Sequence, residues 1–565
     1  MQKVLTAAQM REVDRLTTER YGIPSIILME NAAHAVARVI TEKLGGSVKG
    51  KSILILCGKG NNGGDGAALG RILFAQGAIA TSVLFGRVDE CQGDARMQFE
   101  ILKALDNAGT IDFWEVDDYS DGNSETIRQG EFDLVVDALF GTGLTRELGH
   151  PFDSLLLDLI ERGPTQTLAV DIPSGLNADL AERIGCVLAS NWTVTFTAPK
   201  PANVLVPVAE LGGQLLVANI GSPQELIDEQ RPQLFLAEKD DVAEWLSKSE
   251  FSNSSYKNKR GHALMISGSR DYTGAAVLCG DAAIRSGVGL VTLAVPESSR
   301  DSVVARVSPE VMVRGIAETE NGSASEKAFD EITEFSKNVD VIAVGSGLSS
   351  KEDETKSFIK RIVDERKMPI VIDADGLTAL SPWHEKMKKP AREQGRNQDV
   401  DSYALTNVRA SAMDEEQPLI LTPHEGEFRK LLGLEKEGFE KVIKDRVKAV
   451  RDFATEHNVI LVLKGERNLI GAPNGNVVVN PTGNPGLGKA GNGDTLTGII
   501  TGFIAQAVQM KIDIFETVVA AVYVAGMAGD IAEKKFGKRV MTASDTRECL
   551  VEVFAQFEAS GSVDS

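Results

Sequence analysis

The chain has 565 residues, 42% hydrophobic and 25% charged, the balance of a globular protein with room for two to four domains. Its formal net charge of −21 argues against a nucleic-acid partner, since an acidic surface repels a phosphate backbone, but leaves small anions open to capture by backbone N–H groups. The N-terminal MQKVLTAAQMREVDR lacks the apolar core of a signal peptide, no uncharged run reaches the ~18–20 residues of a membrane span, and five scattered Cys without a C-x-x-C pair read as reduced thiols of a cytoplasmic protein.

Roughly the first 220 residues alternate strand and helix. ILILC (Ile53–Cys57) is a buried-type strand, and TSVLF (Thr81–Phe85), DLVVDAL (Asp133–Leu139), TLAVDI (Thr167–Ile172) and TVTFTA (Thr193–Ala198) follow with amphipathic segments between most of them. Continuous β-branched runs alternating with helices predict an α/β fold with a parallel sheet covered on both faces. After the first strand, CGKGNNGGDG (Cys57–Gly66) carries Gly58, Gly60 and Gly63 in G-x-G-x-x-G spacing. The second strand ends in LFGRVD, with Arg87 and no immediate acid for a ribose, so the loop reads as a phosphate cradle and not a hydride-transfer site. DALFGTGLTRE (Asp137–Glu147), AVDIPSGLN with Asp171 and Ser174, and TFTAPKP with Lys200 lie at further strand ends. Each alone is an ordinary turn, because Asp and Gly dominate turns; together at one sheet edge they predict a shared site.

The pattern breaks from about Gly221 to Glu250, which places a junction at 223–250 between a domain of 1–222 and one of 251–560. A second series of strands then follows: HALMISGS (His262–Ser269), LVTLAVP (Leu290–Pro296), VDVIAVGSG (Val339–Gly347), MPIVIDADG (Met368–Gly376), PLILTPH (Pro418–His424) and VILVLKG (Val459–Gly465). The stretch from about His384 to Gln417 has no clear period and reads as a surface excursion.

The strongest chemical signal is GLGKAGNGDTLTGII (Gly486–Ile500), where an apolar helix starts within GNGD. Gly491 and Gly493 let backbone N–H groups approach an anion, the helix N-terminus adds about half a positive charge, and Asp494 at its mouth can serve as a general base. The plainer reading is an Asp helix cap after loop glycines. Gly483, Gly488 and Lys489 nearly spell a phosphate-binding P-loop, but Ala490 stands where Ser or Thr would hold Mg²⁺. Ser267–Leu278, Gly345–Ser350, Asp373–Leu377, Thr422–Phe428 and Lys464–Ile470 bring further polar groups to strand ends; His424 alone would more often be a packed or capped side chain.

The set GSRDYTGAA, GSGL, DADGL, TPHEGEF, KGERNLI and AGNGDTLTGII resembles the ADP/ATP-dependent NAD(P)H-hydrate dehydratase family over roughly residues 235–555. The resemblance implies a ribokinase-like α/β domain that uses Mg²⁺ with ADP or ATP. It places the nucleotide at Lys464, Gly465, Glu466, Arg467, Asn468 and Gly493, and the hydrated nicotinamide at Ala275, Gly347, His424 and Asp494, with Asp494 catalytic. The chain departs from the family's pattern at Asn468 (usually Thr), at Asn492 (usually Thr or Ser) and in writing GSGLS for GPGLG.

Over roughly residues 1–222, QMREVDR, GIPSIILMENAAHAVA, GKGNNGGDG, DALFGTG and DIPSG resemble the NAD(P)H-hydrate epimerase family, which implies a Rossmann-like parallel α/β sandwich. It assigns the hydrate to Asn61, Asn62, Gly63, Gly64, Asp65, Gly141, Thr142, Gly143, Leu144, Thr145, Arg146, Glu147 and Asp171, with Asp171 the acid/base, and K⁺ to Asn62, Asp137 and Ser174. The pair of resemblances implies a bifunctional repair enzyme acting on NADHX and NADPHX, expected to be a cytoplasmic homo-oligomer without nucleic-acid or membrane partners. The rivals are a ribokinase-like vitamin-precursor kinase fused to a ligand-binding domain, and an N-terminal half that only scaffolds.

Overall fold

The computed structural model describes residues 1–116, 127, 130–163, 166–251, 256–383 and 417–561. The excursion read at 384–417 lies, but for Gln417, outside the described residues. Packing divides the chain into two compact units, Gln2–Phe235 and Leu236–Ser565 with Met1, and the division falls within the stretch 223–250.

In the N-terminal unit, helices α1 (Ala7–Tyr21), α2 (Ser25–Lys43) and α3 (Asn61–Ala75) accompany strands β1 (Ser52–Cys57), β2 (Ile79–Phe85), β3 (Asp112–Val116), β4 (Leu134–Ala138), β5 (Thr167–Val170), β6 (Trp192–Phe196) and β7 (Gln214–Ala218). These strands form one parallel sheet in the order β3-β2-β1-β4-β5-β6-β7. Its middle strands are buried on both faces, and one core gathers Ile53 and Ile55 of β1 with Ala67, Ala68 and Leu69 of α3 and Ala33 and Val36 of α2. The strand order reverses between β1 and β4, which makes the carboxyl ends of those two strands the natural ligand crevice.

The C-terminal unit contains β8 (His262–Ile266), α4 (Thr273–Arg285), β9 (Leu290–Pro296), β10 (Met312–Ile316), β11 (Val341–Val344), β12 (Ile370–Ile372), β13 (Leu419–Leu421), α5 (Glu425–Leu431), β14 (Ile460–Leu463), β15 (Leu469–Gly471), β16 (Val477–Val479), α6 (Asn492–Met510) and α7 (Ile514–Phe536). Its strands run β16-β15-β14-β13-β12-β11-β8-β9-β10, parallel from β14 to β10 and antiparallel at β14–β15 and β15–β16. The reversal here lies between β8 and β11. Helix α6 crosses close to α4 because Gly498 and Gly502 carry no side chain; a Cβ on Gly498 would sit 2.9 Å from Ala282 Cβ, and one on Gly502 2.9 Å from the Ala283 carbonyl oxygen. Helix α7 is the one helix among the described residues long and apolar enough to cross a membrane, and 61% of its apolar window is buried inside the protein.

The fold is the α/β arrangement expected, with seven strands among the described residues beyond those read from the sequence: β3, β7, β10, β15, β16 and the short Gln2–Val4 and Leu234–Leu236. Strands β3, β7 and β10 lie at sheet edges, and residues of each are partly exposed, so they lack the continuous apolar run that marks an interior strand. Strands β15 and β16 have three residues each, too few for a periodic signal.

Candidate active sites

In the N-terminal unit the glycine fingerprint opens α3, whose cap residue Gly60 supplies no side-chain hydrogen bond, so the first N–H groups are left for a ligand. A Cβ on Gly63 would fall on the Gly58 carbonyl oxygen, and one on Gly58 on the Leu139 carbonyl oxygen, whereas Gly60 meets nothing. Two of the three fingerprint glycines are therefore required by backbone packing at the β1–β4 crevice, where Gly58 N–H donates to the Ala138 carbonyl at 3.2 Å. Gly64 is likewise packed, its missing Cβ 2.8 Å from Ala95 Cα.

Three strand-end loops are tied together beside this helix. Asp137, 1% exposed, accepts from Ser174 Oγ at 2.6 Å, Ser174 N–H at 2.8 Å and Leu139 N–H at 3.2 Å. Burial nevertheless pushes its carboxyl above the usual range against those bonds. Phe140 N–H donates to Ser174 Oγ at 3.0 Å, so the β4 and β5 loops share one clasp. Gly141 lies between two polar side chains: a Cβ there would stand 3.0 Å from Asp171 Oδ2 and 3.1 Å from Asn62 Oδ1. Asp171, at φ 66°, accepts from Lys200 Nζ at 2.6 Å and from Thr195 Oγ1 at 2.9 Å. Lys200 is 2% exposed and also donates to the Phe196 carbonyl at 3.1 Å. A buried ammonium paired with a buried carboxylate, on a residue held in left-handed backbone, is an arrangement that packing alone does not favour. Burial, reinforced by the like charges of Asp171 and Asp14 and opposed by Lys200, pushes Asp65 well above the ordinary carboxylate range.

The structure thus gathers Asn62, Gly141 and Asp171, and joins Asp137 to Ser174. Leu144 is 6% exposed and packs under its loop with Leu139, Leu148 and Leu155, while Thr145, Arg146 and Glu147 are exposed. The reading of the sequence left Asp14 unexamined, and it put Lys200 at this edge without making it a site residue.

In the C-terminal unit α6 begins at Asn492 with Gly491 in the left-handed region at φ 91°. Asn492 Oδ1 accepts from Thr546 Oγ1 at 3.2 Å, so this departure from the family's Thr or Ser is held by a bond of its own. Burial, then the like charge of Asp373, lifts the Asp494 carboxyl to about 6. Asp373, 2% exposed at the end of β12, accepts from Lys464 Nζ at 2.7 Å, Thr422 Oγ1 at 2.8 Å and Thr497 Oγ1 at 3.0 Å. Burial alone would raise its carboxyl, but Lys464 and the two hydroxyls hold it below the usual range. Burial works against the charge on Lys464, and Asp373 and Glu427 outweigh it, so its ammonium is held above its ordinary value. A Cβ on Gly493 would lie 3.5 Å from Lys464 Nζ and 3.6 Å from Asp373 Oδ2, which puts the α6 N-terminus, Lys464 and Asp373 in one group.

His424 caps α5, its Nδ1 accepting the Glu427 N–H at 3.2 Å and its own N–H donating to Glu427 Oε2 at 2.9 Å; the side chain stays 60% exposed. Its capping and exposed roles coexist. Lys464 N–H donates to the Pro423 carbonyl at 2.8 Å, setting the His424 loop beside the Lys464 loop. Asn468 Oδ1 accepts the Gly465 N–H at 3.1 Å and closes the β14–β15 turn, with Glu466 exposed. Gly347, at φ 67°, faces α4 with its missing Cβ 2.7 Å from Ala275 Cβ, so those two residues are brought together. Asp373, read from the sequence only as one of the polar groups at strand ends and not assigned to the site, is the group at its centre.

Residues 25–202 match the family described as YjeF-related protein N-terminus, and residues 263–398 and 392–551 match the NAD(P)H-hydrate dehydratase family. The bifunctional NAD(P)H-hydrate repair enzyme of Moorella thermoacetica is 37% identical over 98% of this chain and 97% of its own length. That of Thermofilum pendens is 33% identical over 96% and 94%. Among solved structures, the ADP/ATP-dependent NAD(P)H-hydrate dehydratase of Bacillus subtilis, co-crystallised with ATP/Mg²⁺, is 26% identical over 57% of this chain and 98% of that one, with a TM-score of 0.45.

Proposed function

The chain belongs to the family of bifunctional NAD(P)H-hydrate repair enzymes, and from that premise we propose how its residues divide the work. It is an NAD(P)H-hydrate epimerase and a nucleotide-dependent NAD(P)H-hydrate dehydratase in one chain. The two activities are complementary: hydration yields two epimers, the dehydratase acts on one, and the epimerase supplies it from the other.

In our reading the C-terminal site, in the domain of 251–560, binds ADP or ATP over Lys464–Asn468 and Gly493, with the hydrate between Ala275, Gly347, His424 and Asp494. Asp494 takes the proton of the ring hydroxyl as that oxygen accepts the phosphoryl group. The α6 N-terminus and Lys464 balance the charge on the transferring group, chemistry that rests on positioning and electrostatics. Phosphate then leaves as the ring nitrogen pushes its electron pair toward the carbon, and loss of a proton from the neighbouring carbon restores the dihydropyridine. Mg²⁺ supplies neutralisation of the nucleotide's charge. No group of three His, Cys, Asp or Glu side chains among the described residues forms a separate cage, and the nucleotide's own oxygens fit that ion.

The N-terminal site, in the domain of 1–222, takes the hydrate between the α3 N-terminus, the Gly141–Glu147 loop and Asp171, with Asp171 the proton-transferring group. K⁺ fits the oxygens of Asn62, Asp137 and Ser174, hard donors brought from the first turn of α3, the end of β4 and the loop after β5. The same reading makes the enzyme a cytoplasmic homo-oligomer with no nucleic-acid or membrane partner.

The observation that carries the dehydratase assignment is the meeting of Gly493, Lys464 and Asp373 beside an Asp494 carboxyl lifted to about 6. The test supplies purified enzyme with NADHX epimers, Mg²⁺ and either nucleotide and follows the return of reduced-nicotinamide absorbance with release of phosphate. A stable phosphorylated product would favour the kinase reading instead. Asp494→Asn is expected to slow dehydration by about 10²-fold or more while epimer exchange continues. Equal loss of both activities would refute the two-site assignment.

A further inference from the structure

Water adds to an enamine with its hydroxyl on the carbon next to nitrogen, so the hydrate is a cyclic hemiaminal. Opening it removes the hydroxyl proton, breaks the carbon–nitrogen bond and places a proton on nitrogen. Closure on the other face of the resulting aldehyde reverses both transfers, with no redox change and no net proton gained or lost. Such a cycle needs a group that takes a proton readily near neutral pH and a place for that proton to rest.

Asp171 and Lys200 form one part of that machinery, and a second carboxyl reaches them from a distant part of the chain. Helix α1 is seated on the loops at this sheet edge. Leu5 N–H donates to the Pro199 carbonyl at 2.9 Å, and Ala7 N–H to Asp179 Oδ1 at 2.7 Å. Met10, Val13 and Leu16 pack with Ala198, and Ala7 packs with Ile172 and Ala202. This seating turns Asp14 inward, where the charged groups acting on it are Lys200 and Asp171, and where it acts in turn on Asp65. Asp14 Oδ1 is buried and has no hydrogen-bond partner, as has Thr197 Oγ1 on the same edge, in a residue held at φ 64°. Burying a carboxylate oxygen without a partner is unfavourable, and nothing in the packing of α1 requires it.

We propose that Asp14 is a positioning residue of the epimerase site: its carboxylate shares the buried Lys200 ammonium with Asp171 and offers the substrate's proton a second resting place. The proposal rests on the assignment of Asp171 as the proton-transferring group. Burial lifts the Asp14 carboxyl to about 6, Lys200 pulling it down and Asp171 pushing it up, so its charge changes within the working range. Above that pH Asp14 is ionised and open to the proton; below it the resting place is already filled and epimerisation slows.

The test measures exchange between the epimers, by chromatography, across pH 6 with the full-length enzyme and its Asp14→Asn and Asp14→Glu variants. Asp14→Asn is expected to lower kcat by about tenfold at neutral pH, to abolish the limb near pH 6, and to leave KM and dehydration unchanged. Asp14→Glu is expected to restore the limb. A wild-type limb in Asp14→Asn would overturn the proposal, and so would a loss of rate matched by a lower melting point with the limb intact in the residual activity. Asp171→Asn separates the two levels. Full exchange in that variant removes the premise, whereas an inactive Asp171→Asn beside a normal Asp14→Asn refutes only the role of Asp14.

Discussion

Asp373→Asn tests the electrostatic account of the dehydratase site at its centre. The carboxylate is 2% exposed, carries three accepted hydrogen bonds and neutralises Lys464 at 2.7 Å. An amide keeps the shape and loses the charge, leaving Lys464 to Glu427 at 3.9 Å. Breaking a fully buried pair costs about 3–5 kcal/mol; Lys464 keeps 20% of its side-chain surface, which argues for the lower end, about 3 kcal/mol. For a unit of about 330 residues, with about 2.1 cal/mol/K of unfolding entropy per residue, that is a fall in Tm of roughly 4–5 °C for its transition, measured by calorimetry. The pH dependence has a definite sign. A carboxyl held below its ordinary range stabilises above the unfolded-state value of about 3.9 and ceases to as pH falls through the lower folded-state value, so the two melting points converge in strong acid. The variant also removes the like charge that helps lift Asp494, so the acid limb of residual dehydration moves to lower pH. A Tm change under about 2 °C, or an unmoved limb, would refute the reasoning.

Two glycines give sharper local tests. Gly491→Ala puts a Cβ 2.6 Å from Leu278 Cδ1 on a residue at φ 91°, so we expect about 1–3 kcal/mol of destabilisation by denaturant titration and at least about tenfold slower dehydration with epimerisation intact. Gly141→Ala introduces a methyl 3.0 Å from Asp171 Oδ2 and 3.1 Å from Asn62 Oδ1. Initial-rate kinetics should show epimerisation slowed by about tenfold and dehydration unchanged; equal rates with and without the methyl would place the hydrate elsewhere.

The sequence made the site legible where glycine, acid and strand end coincide. GNGD announced the start of α6 because a helix mouth needs small residues before it, and the start at Asn492 agrees. Asp373 was read only as one polar group at a strand end, because an acid after IVI is ordinary there; its value comes from Lys464 and Thr497, 91 and 124 residues away. Asp14 was hidden by the periodicity of its own helix. It adjoins the buried stripe of Met10, Val13 and Leu16, so it reads as the polar border of an amphipathic helix until the loop bearing Lys200 folds against it. The β14–β15–β16 hairpin was missed for a related reason: KGERNLI was read as a strand end and not as a turn, and only the bond from Gly465 to Asn468 reveals the reversal.

The corner where Gly58 and Gly63 touch backbone has a consequence for how such motifs are used. Those two letters of the fingerprint are dictated by steric fit between a strand exit and the helix after it, so they would persist through a change of ligand. Meanwhile Gly60 meets no protein neighbour, so any demand for it comes from the ligand at the α3 N-terminus and not from packing. A scan that scores all three letters alike therefore weighs scaffold geometry as though it were ligand preference. The informative positions for telling one member of such a lineage from another are the side chains that surround the corner, such as Asn62 and Asp171, and not the glycines that make it.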